Sequence, residues 1–539
     1  MKLRSAIVRT LLFFLLIGFQ QVNAEVITGD AELDPIFTTF VQGKGQERVD
    51  ALNTLAASGR ADTRKLLQGI LDGDLMFHKP TSKIVWAVKN GRQFDMSSLD
   101  ETEELGSDSN RRVQRLKLTN SIRSHLRQLI AGLGLYSEKS VERLAAINSL
   151  IDTPEAIEQD TLNQLLESEK NEGVLDALKQ LATRKQLNSE DPSERLIAVN
   201  ALREDLSADS RSLIVNTADN ETDEEVRTAA LSVRLYHEQQ ATLFGWLETL
   251  FFGLSLGSVL VLAAIGLAIS FGVMGVINMA HGELIMLGAY CAWAMQQLMP
   301  QSITAALLLS IPVAFVFTGL VGVAIERSVI QFLYGRPLET LLATFGISLI
   351  LQQLVRTFVS PQNVPVANPE FMSGVLQLNG MFSLTLNRLY ILIFCLLVFA
   401  ALVVLLKRSR FGLEVRAVSQ NRAMARAMGV RSSRIDSLTF GLGAGIAGIA
   451  GVALSQLTNV GPNMGQAYIV DSFMVVVFGG VGNLWGTLIS GMTLGIANKL
   501  LEPWAGAILA KILVLIFLIM FIQKRPRGLF PQRGRAVEG

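Results

Sequence analysis

The sequence predicts an all-α protein in two parts, a soluble helical domain followed by a membrane domain of about nine spans. Three observations predict it. The chain has 539 residues, of which 18% are charged, and a mean hydropathy of +0.37. That average conceals a charged first half and an apolar second half, where runs of roughly bilayer length follow one another. An Arg-x-x-Ala-aliphatic pattern recurs in the first half. One short loop in the second half, 407–434, concentrates positive charge between two apolar runs, as cytoplasmic loops of membrane proteins do.

Residues 1–24 carry Lys2, Arg4 and Arg9, an apolar run from Leu11 to Phe19, and Val22-Asn23-Ala24. A charged start, a short apolar core and a small residue at the end read as a secretory signal peptide cut after Ala24. An uncleaved anchor is the alternative. Either way, residues from Glu25 onward are expected outside the cytoplasm.

Residues 25–240 are expected to form an extracytoplasmic helical domain. Arg48/Ala51/Leu52, Arg143/Ala146/Ile147, Arg195/Ala198/Val199 and Arg227/Ala230/Leu231 share the recurring pattern. The first three add Leu55, Leu150 and Leu202 one turn later, and the fourth has Arg234 there. Small and aliphatic residues at these positions resemble HEAT-type repeats, whose helix pairs stack into solenoids. Residues 81–109 break the periodicity. Residues 83–88 suit a short strand, and the acids around Asp95, Asp100 and Asp108 read as a solvated loop without cation-ligand spacing. His78, His125 and His237 stand singly, so no metal site is expected.

From 245 to 525 the apolar segments are 250–271, 276–298, 303–325, 338–358, 389–406, 438–457, 468–480, 484–501 and 505–522, with 468–480 short enough for a half-helix. Counting from an outside start, nine crossings leave the C-terminal tail 526–539 in the cytoplasm. The basic loop, Arg327 and Arg336, and Lys524, Arg525 and Arg527 all fall inside in this count. Gly253/Gly257, Gly441/Gly445 and Gly491/Gly495 have the spacing that lets helix backbones approach closely in lipid. Phe271-Gly272-x-x-Gly275, with Asn278 beyond, is echoed by Phe478-Gly479-x-x-Gly482, with Asn483 beyond. Cys291 and Cys395 sit in apolar runs and make neither a disulfide framework nor a metal site.

The basic loop carries Lys407, Arg408, Arg410, Arg416, Arg422, Arg426, Arg431 and Arg434 against the single acid Glu414. Residues 413–428 suit one helix, with Leu413, Ala417, Met424 and Met428 on one face and Arg422 and Arg426 pointing away. Gly429 supplies the stop. Arg416-Ala417, Gln420-Asn421, Ala425 and Gly429-Val430 resemble the coupling loop of ABC permeases of the branched-chain amino acid and urea group. The stretch 275–283 and the glycine-rich 478–482 belong to the same resemblance, which covers about 251–528. It implies a polytopic permease that docks on its ATPase through Leu413, Arg416, Ala417, Gln420, Ala425 and Gly429. It also implies a second homologous permease subunit, two cytoplasmic ATP-binding subunits and an extracytoplasmic solute-binding protein, assembled in the lipid of a bacterial inner membrane. A long outer domain ahead of the permease resembles the urea-type members. Urea is therefore the first expected substrate, with short amides or branched-chain amino acids next.

Asn278, His281 and Glu283 are polar in an apolar region and are flanked by Gly275 and Gly282. Such groups at membrane depth commonly mark a solute path, and Asn483 is the corresponding residue of the echo. The alternative is a tight turn capped by Asn278, with His281 and Glu283 in water. The sequence contains no P-loop, no nucleophile elbow and no zinc-protease motif, so no enzyme and no cofactor is expected. A net charge of +1 offers no bulk basic surface for nucleic acid. A passive channel and a membrane-anchored interaction protein are the rival classes. Co-purification with ATPases would exclude both.

Overall fold

The structure is a computed structural model that describes residues 26–530 except Arg92, Glu101, Asn110 and Asp152. The expected signal peptide and residues 531–539 of the tail lie outside the described residues. The chain divides into two units, Met1–Glu204 with Ile214–Val233, and Asp205–Leu213 with Arg234–Gly539.

The first unit opens with helices α1 (Asp34–Gln42), α2 (Gln46–Ala57) and α3 (Thr63–Asp72). Five strands follow: β1 (Leu75–His78), β2 (Lys83–Asn90), β3 (Gln93–Ser97), β4 (Glu104–Ser109) and β5 (Val113–Arg115). They form one antiparallel sheet in the order β4-β3-β2-β1-β5. This corrects the all-α expectation, although the chain remains mostly helical. The strand expected at 83–88 is the body of β2, but the acidic stretch expected to be a solvated loop supplies β3 and β4. The reason is a two-residue period. Phe94 and Met96 are buried while Gln93 and Asp95 are exposed, and the buried pair packs with Met76, Val85, Ala87 and Val113. The acids occupy the other positions and are held locally. Asp95 accepts hydrogen bonds from Asn90 and Ser107, and Asp108 is 3.1 Å from Nε2 of His78.

Helices α4 (Asn120–Gly134), α5 (Ser140–Leu150), α6 (Gln159–Ser168), α7 (Glu172–Leu187), α8 (Pro192–Ala201) and α9 (Ala208–Asn220) come next. The recurring apolar positions are core: Leu52, Leu55, Ile147, Leu150, Val199 and Leu202 are buried. Two of the recurring arginines do the same job twice. Arg143 binds Glu169 through Nε at 2.7 Å and Nη2 at 2.9 Å, and its Nη1 donates to the carbonyls of Ser137 and Glu138. Arg195 binds Glu221 at 3.0 and 2.9 Å, and its Nη1 donates to the carbonyls of Ser189 and Glu190. Each clamp joins residues 26 apart in sequence. In the fourth copy Leu231 is exposed, and among the described residues Arg227 pairs with the acid one turn before it, Glu224.

The remaining helices are α10 (Glu224–Met274), α11 (His281–Leu298), α12 (Ile303–Ser328), α13 (Pro337–Phe358), α14 (Leu386–Arg408), α15 (Arg410–Gln420), α16 (Arg422–Ala427), α17 (Ser432–Ser455), α18 (Met464–Gly479) and α19 (Leu484–Lys524). A two-stranded hairpin, β6 (Val375–Gln377) with β7 (Ser383–Thr385), precedes α14. Among the described residues six helices are long and apolar enough to cross a membrane, those containing α10, α12, α13, α14, α17 and α19. Each of the nine expected apolar segments lies largely in a helix, although 276–280 precede α11, and 484–501 and 505–522 share α19. Non-helical Gly506, with φ 76°, three residues after Pro503, divides them.

The centre of the second unit is built on glycine contacts. A Cβ at Gly495 would lie 2.3 Å from the nitrogen of Gly257, and one at Gly441 would lie 2.6 Å from Val323. The small-residue pairs noted in the sequence therefore bring α10 against α19 and α17 against α12 within one chain.

Candidate functional site

α10 ends at Met274 and α11 begins at His281, so 275–280 form a corner between two apolar helices. Gly275, with φ 69°, turns the chain. Asn278 Oδ1 then accepts from the backbone nitrogen of Ala280 at 3.0 Å. The echo builds a second corner of the same kind. Gly482 has φ 79°, and Asn483 Oδ1 accepts from the nitrogens of Trp485 and Gly486 at the start of α19. The two corners adjoin, since a Cβ at Gly272 would lie 2.5 Å from Cα of Gly482.

Asn278, His281 and Glu283 are all buried, which removes the alternative that His281 and Glu283 sit in water. The corner is nevertheless a turn closed by Asn278. His281 is committed to structure, because its Nε2 lies 2.8 Å from the carbonyl oxygen of Ala263 on α10. Asn278 is committed to its cap. Glu283 is different. Its Oε1 accepts from Ser348 Oγ at 3.0 Å and from Gln352 Nε2 at 2.7 Å, while Oε2 has no hydrogen-bond partner among the described residues. Buried carboxylate oxygens are ordinarily partnered, so a free one held in place by its twin is a point where a polar solute can bind.

Both partners of Glu283 lie on α13, and neither was anticipated from the sequence. Thr340, Thr344, Ser348 and Gln352 are buried at every fourth position of this helix, a polar stripe about 18 Å long at 1.5 Å per residue. Thr344 Oγ1 accepts from the nitrogen of Met279 at 3.1 Å, so the stripe also touches the α10–α11 corner. The opposite side of α13 exposes Leu338, Leu342, Phe345 and Leu349. A helix with its polar side inward and apolar side outward is the inverse of a soluble one, and it suits a lipid-facing wall of a polar interior. The spacing of four between these polar residues was the available signal. Further along, Arg356 Nη2 donates to Asn463 Oδ1 at 2.6 Å. On α11, Tyr290 packs with Met286, Ala289, Val355 and Val460, and its hydroxyl has no partner among the described residues.

Asn483 is not brought to this cluster. Besides capping α19, it lines a cavity of about 290 Å³ with Gly272, Lys407, Arg416 and Trp485. It therefore belongs with the basic loop.

That loop is two helices, not the single one expected. Asn421, with φ −149°, separates α15 from α16 and caps the latter, its Oδ1 accepting from the nitrogen of Met424 at 2.9 Å. Gly429 does supply the stop. It has φ 89°, and the nitrogens of Gly429 and Val430 bond back to the carbonyls of Arg426 and Ala425, a Schellman motif. Leu413, Met424 and Met428 are 62%, 63% and 81% exposed. Ala425 faces inward, 6% exposed, and packs with Val415, Val418 and Ile435, as Ala417 partly does. Gln420 and Arg416 lie on α15, where Arg416 donates to the carbonyl of Leu406. Of the two arginines expected to point away from the apolar face, Arg422 is half-buried and Arg426 is exposed. Arg422 binds Asp436, and Arg426 Nε donates to Ser432 Oγ at 2.6 Å. Among the described residues no group of three or more His, Cys, Asp and Glu converges as a metal site.

Apolar helices around a buried polar stripe define a multi-pass membrane transport protein. Residues 249–522 match the family described as branched-chain amino acid transport system / permease component, and the chain belongs to that family. It is 30% identical to the high-affinity branched-chain amino acid transport system permease protein BraD of Pseudomonas aeruginosa, over 53% of this chain and 96% of that protein. To LivH of Escherichia coli K12, of the same description, it is 30% identical over 53% of this chain and 95% of that protein. The probable permease LivH of Methanocaldococcus jannaschii is 26% identical over 50% and 88% respectively. No solved structure matches the chain significantly. The relatives are transport permeases, and this chain is a permease and not an enzyme.

Proposed function

We propose that this chain is the membrane-spanning subunit of an ATP-driven importer and that it carries urea. The observation that supports a polar solute is the free Oε2 of Glu283, with its twin oxygen fixed by Ser348 and Gln352. Urea has one strong acceptor and several N–H donors. Glu283 accepts from the donors through its free Oε2. ATP comes from two cytoplasmic subunits docked on the exposed Leu413, Met424 and Met428. A second homologous permease completes the membrane part, and an extracytoplasmic binding protein delivers the solute. Nine crossings of the inner membrane leave the first unit outside, and its repeated Arg–Glu clamps support a HEAT-type stack there.

A second reading is a branched-chain amino acid, the substrate in the names of BraD and LivH. One observation favours it. Tyr290, Val355, Val460 and Met464 make an apolar cluster on the α11 face that carries Glu283, which suits an aliphatic side chain beside an ammonium bound to the carboxylate. Uptake of labelled urea and labelled leucine by deletion cells complemented with the wild type, Glu283→Gln and Gln352→Leu decides between them. Urea uptake restored by the wild type and weakened in both variants supports the first reading, and leucine uptake alone supports the second. Full urea and leucine uptake in both variants removes Glu283 from the path.

A further inference from the structure

One charge of the basic loop, that of Arg422, is engaged inside the protein. Asp436, on the first turns of α17, is 1% exposed and is held bidentately by Arg422, with Nη1 to Oδ2 at 2.6 Å and Nη2 to Oδ1 at 2.9 Å. The same guanidinium lies 5.3 Å from the centre of the Tyr334 ring. Tyr334 donates its hydroxyl to Glu326 Oε1 at 2.9 Å, and the other oxygen of Glu326 accepts from Ser437. Glu326 is buried near the end of α12, and Ser437 is the neighbour of Asp436 on α17. One guanidinium at the start of α16 thus grips two long helices. Those helices in turn meet backbone to backbone, since a Cβ at Gly448 would lie 2.8 Å from the carbonyl oxygen of Ala314 and one at Gly441 would lie 3.2 Å from that of Gly319.

We propose that Arg422 is a positioning residue that transmits displacement of the loop into the α12–α17 pair. The proposal rests on the importer reading. The physical grounds are stiffness and geometry. A bidentate Arg–carboxylate pair fixes direction as well as distance. A close-packed helix pair moves as a unit because its interior cannot be compressed. The exposed side of α16, with Met424 and the C-capping Met428, is turned to a partner, while its first residue holds the core. A push on one side is therefore delivered to Asp436 and, through Tyr334 and Glu326, to α12.

The test uses the complex reconstituted in lipid vesicles with its ATPase and binding-protein subunits. The quantities measured are the amount of ATPase bound and the solute moved per ATP hydrolysed. Arg422→Gln and Asp436→Asn each break the ionic pair. The double variant removes both charges and so leaves no lone buried charge. If the pair only stabilises the loop, the double variant recovers what the singles lose. If it transmits force, all three bind ATPase normally and all three move about tenfold or more less solute per ATP, the scale of one charge-assisted hydrogen bond. A wild-type ratio in Arg422→Gln or in the double variant overturns the proposal, as does loss of bound ATPase in the double variant. Failure of the unsubstituted chain to bind any ATPase overturns the importer reading instead.

Discussion

Met424→Ser and Met428→Ser measure whether the outer face of the loop is a docking surface. Complete burial of a methionine or leucine side chain is worth about 1.5–3 kcal/mol. Met424 is 63% exposed, so docking would gain about 1–2 kcal/mol from the part still in water. Met428 is 81% exposed and stands to gain slightly more. Each serine substitution should therefore weaken ATPase binding about 5- to 30-fold. The two positions are four apart, Met424 on α16 and Met428 at its C-cap, so the double variant need not equal the sum of the singles. Titration of the permease in lipid nanodiscs with the purified ATPase subunit gives the Kd directly. Ala425→Glu serves as the contrast. Its methyl is packed against Val415, Val418 and Ile435, so an unpaired carboxylate there disrupts the loop's own core and increases its protease sensitivity. Gly429→Val acts on the backbone, since a φ of 89° costs a β-branched residue about 1–2 kcal/mol or more. A Kd within twofold of wild type for both methionine variants would refute the docking face and leave the exposed methionines as lipid or solvent contacts.

Three further outcomes are expected. Ser193 and Ser433 are exposed, and an impermeant thiol reagent on outer-permeabilised cells should label Ser193→Cys but not Ser433→Cys; labelling of the latter without lysis contradicts the topology. Glu169 is held down to about 2 from its ordinary 4.5 by hydrogen bonds from Arg143 and by the backbone N–H groups of Asn171 and Lys170, against the opposing effect of burial. A depressed carboxylate contributes stability that is complete above about pH 4.5 and is lost as pH falls towards 2. Glu169→Gln should be less stable at neutral pH yet lose less stability over that interval, as read by thermal unfolding at stepped pH. A Cβ at Gly451 would lie 2.0 Å from the carbonyl oxygen of Ile285, whereas nothing lies within 4 Å of one at Gly346. Gly451→Ala should cost about 1–3 kcal/mol of overpacking and lower the melting temperature in detergent, while Gly346→Ala should hold or raise it.

The sequence by itself determined what depends on near neighbours. Nine apolar segments were readable because bilayer thickness sets a local length. The stop at Gly429 was readable because a helix end needs a residue that accepts positive φ. The buried repeat positions Leu150 and Leu202 were readable from helical periodicity. Membership of the permease family was readable from the loop motif and the stretch 275–283. The strands β3 and β4 were also local, but the acids outweighed the alternation of Phe94 and Met96. Tertiary structure alone decided which polar groups remain free. Glu283 and Gln352 are 69 residues apart, and Glu326 and Ser437 are 111 apart. His281 looked as available as Glu283 until α10 supplied the Ala263 carbonyl, and Arg422 looked solvated until α17 supplied Asp436. A side chain's hydrogen-bonding capacity is fixed by its chemistry, but how much of it is already used depends on which distant helix packs against it.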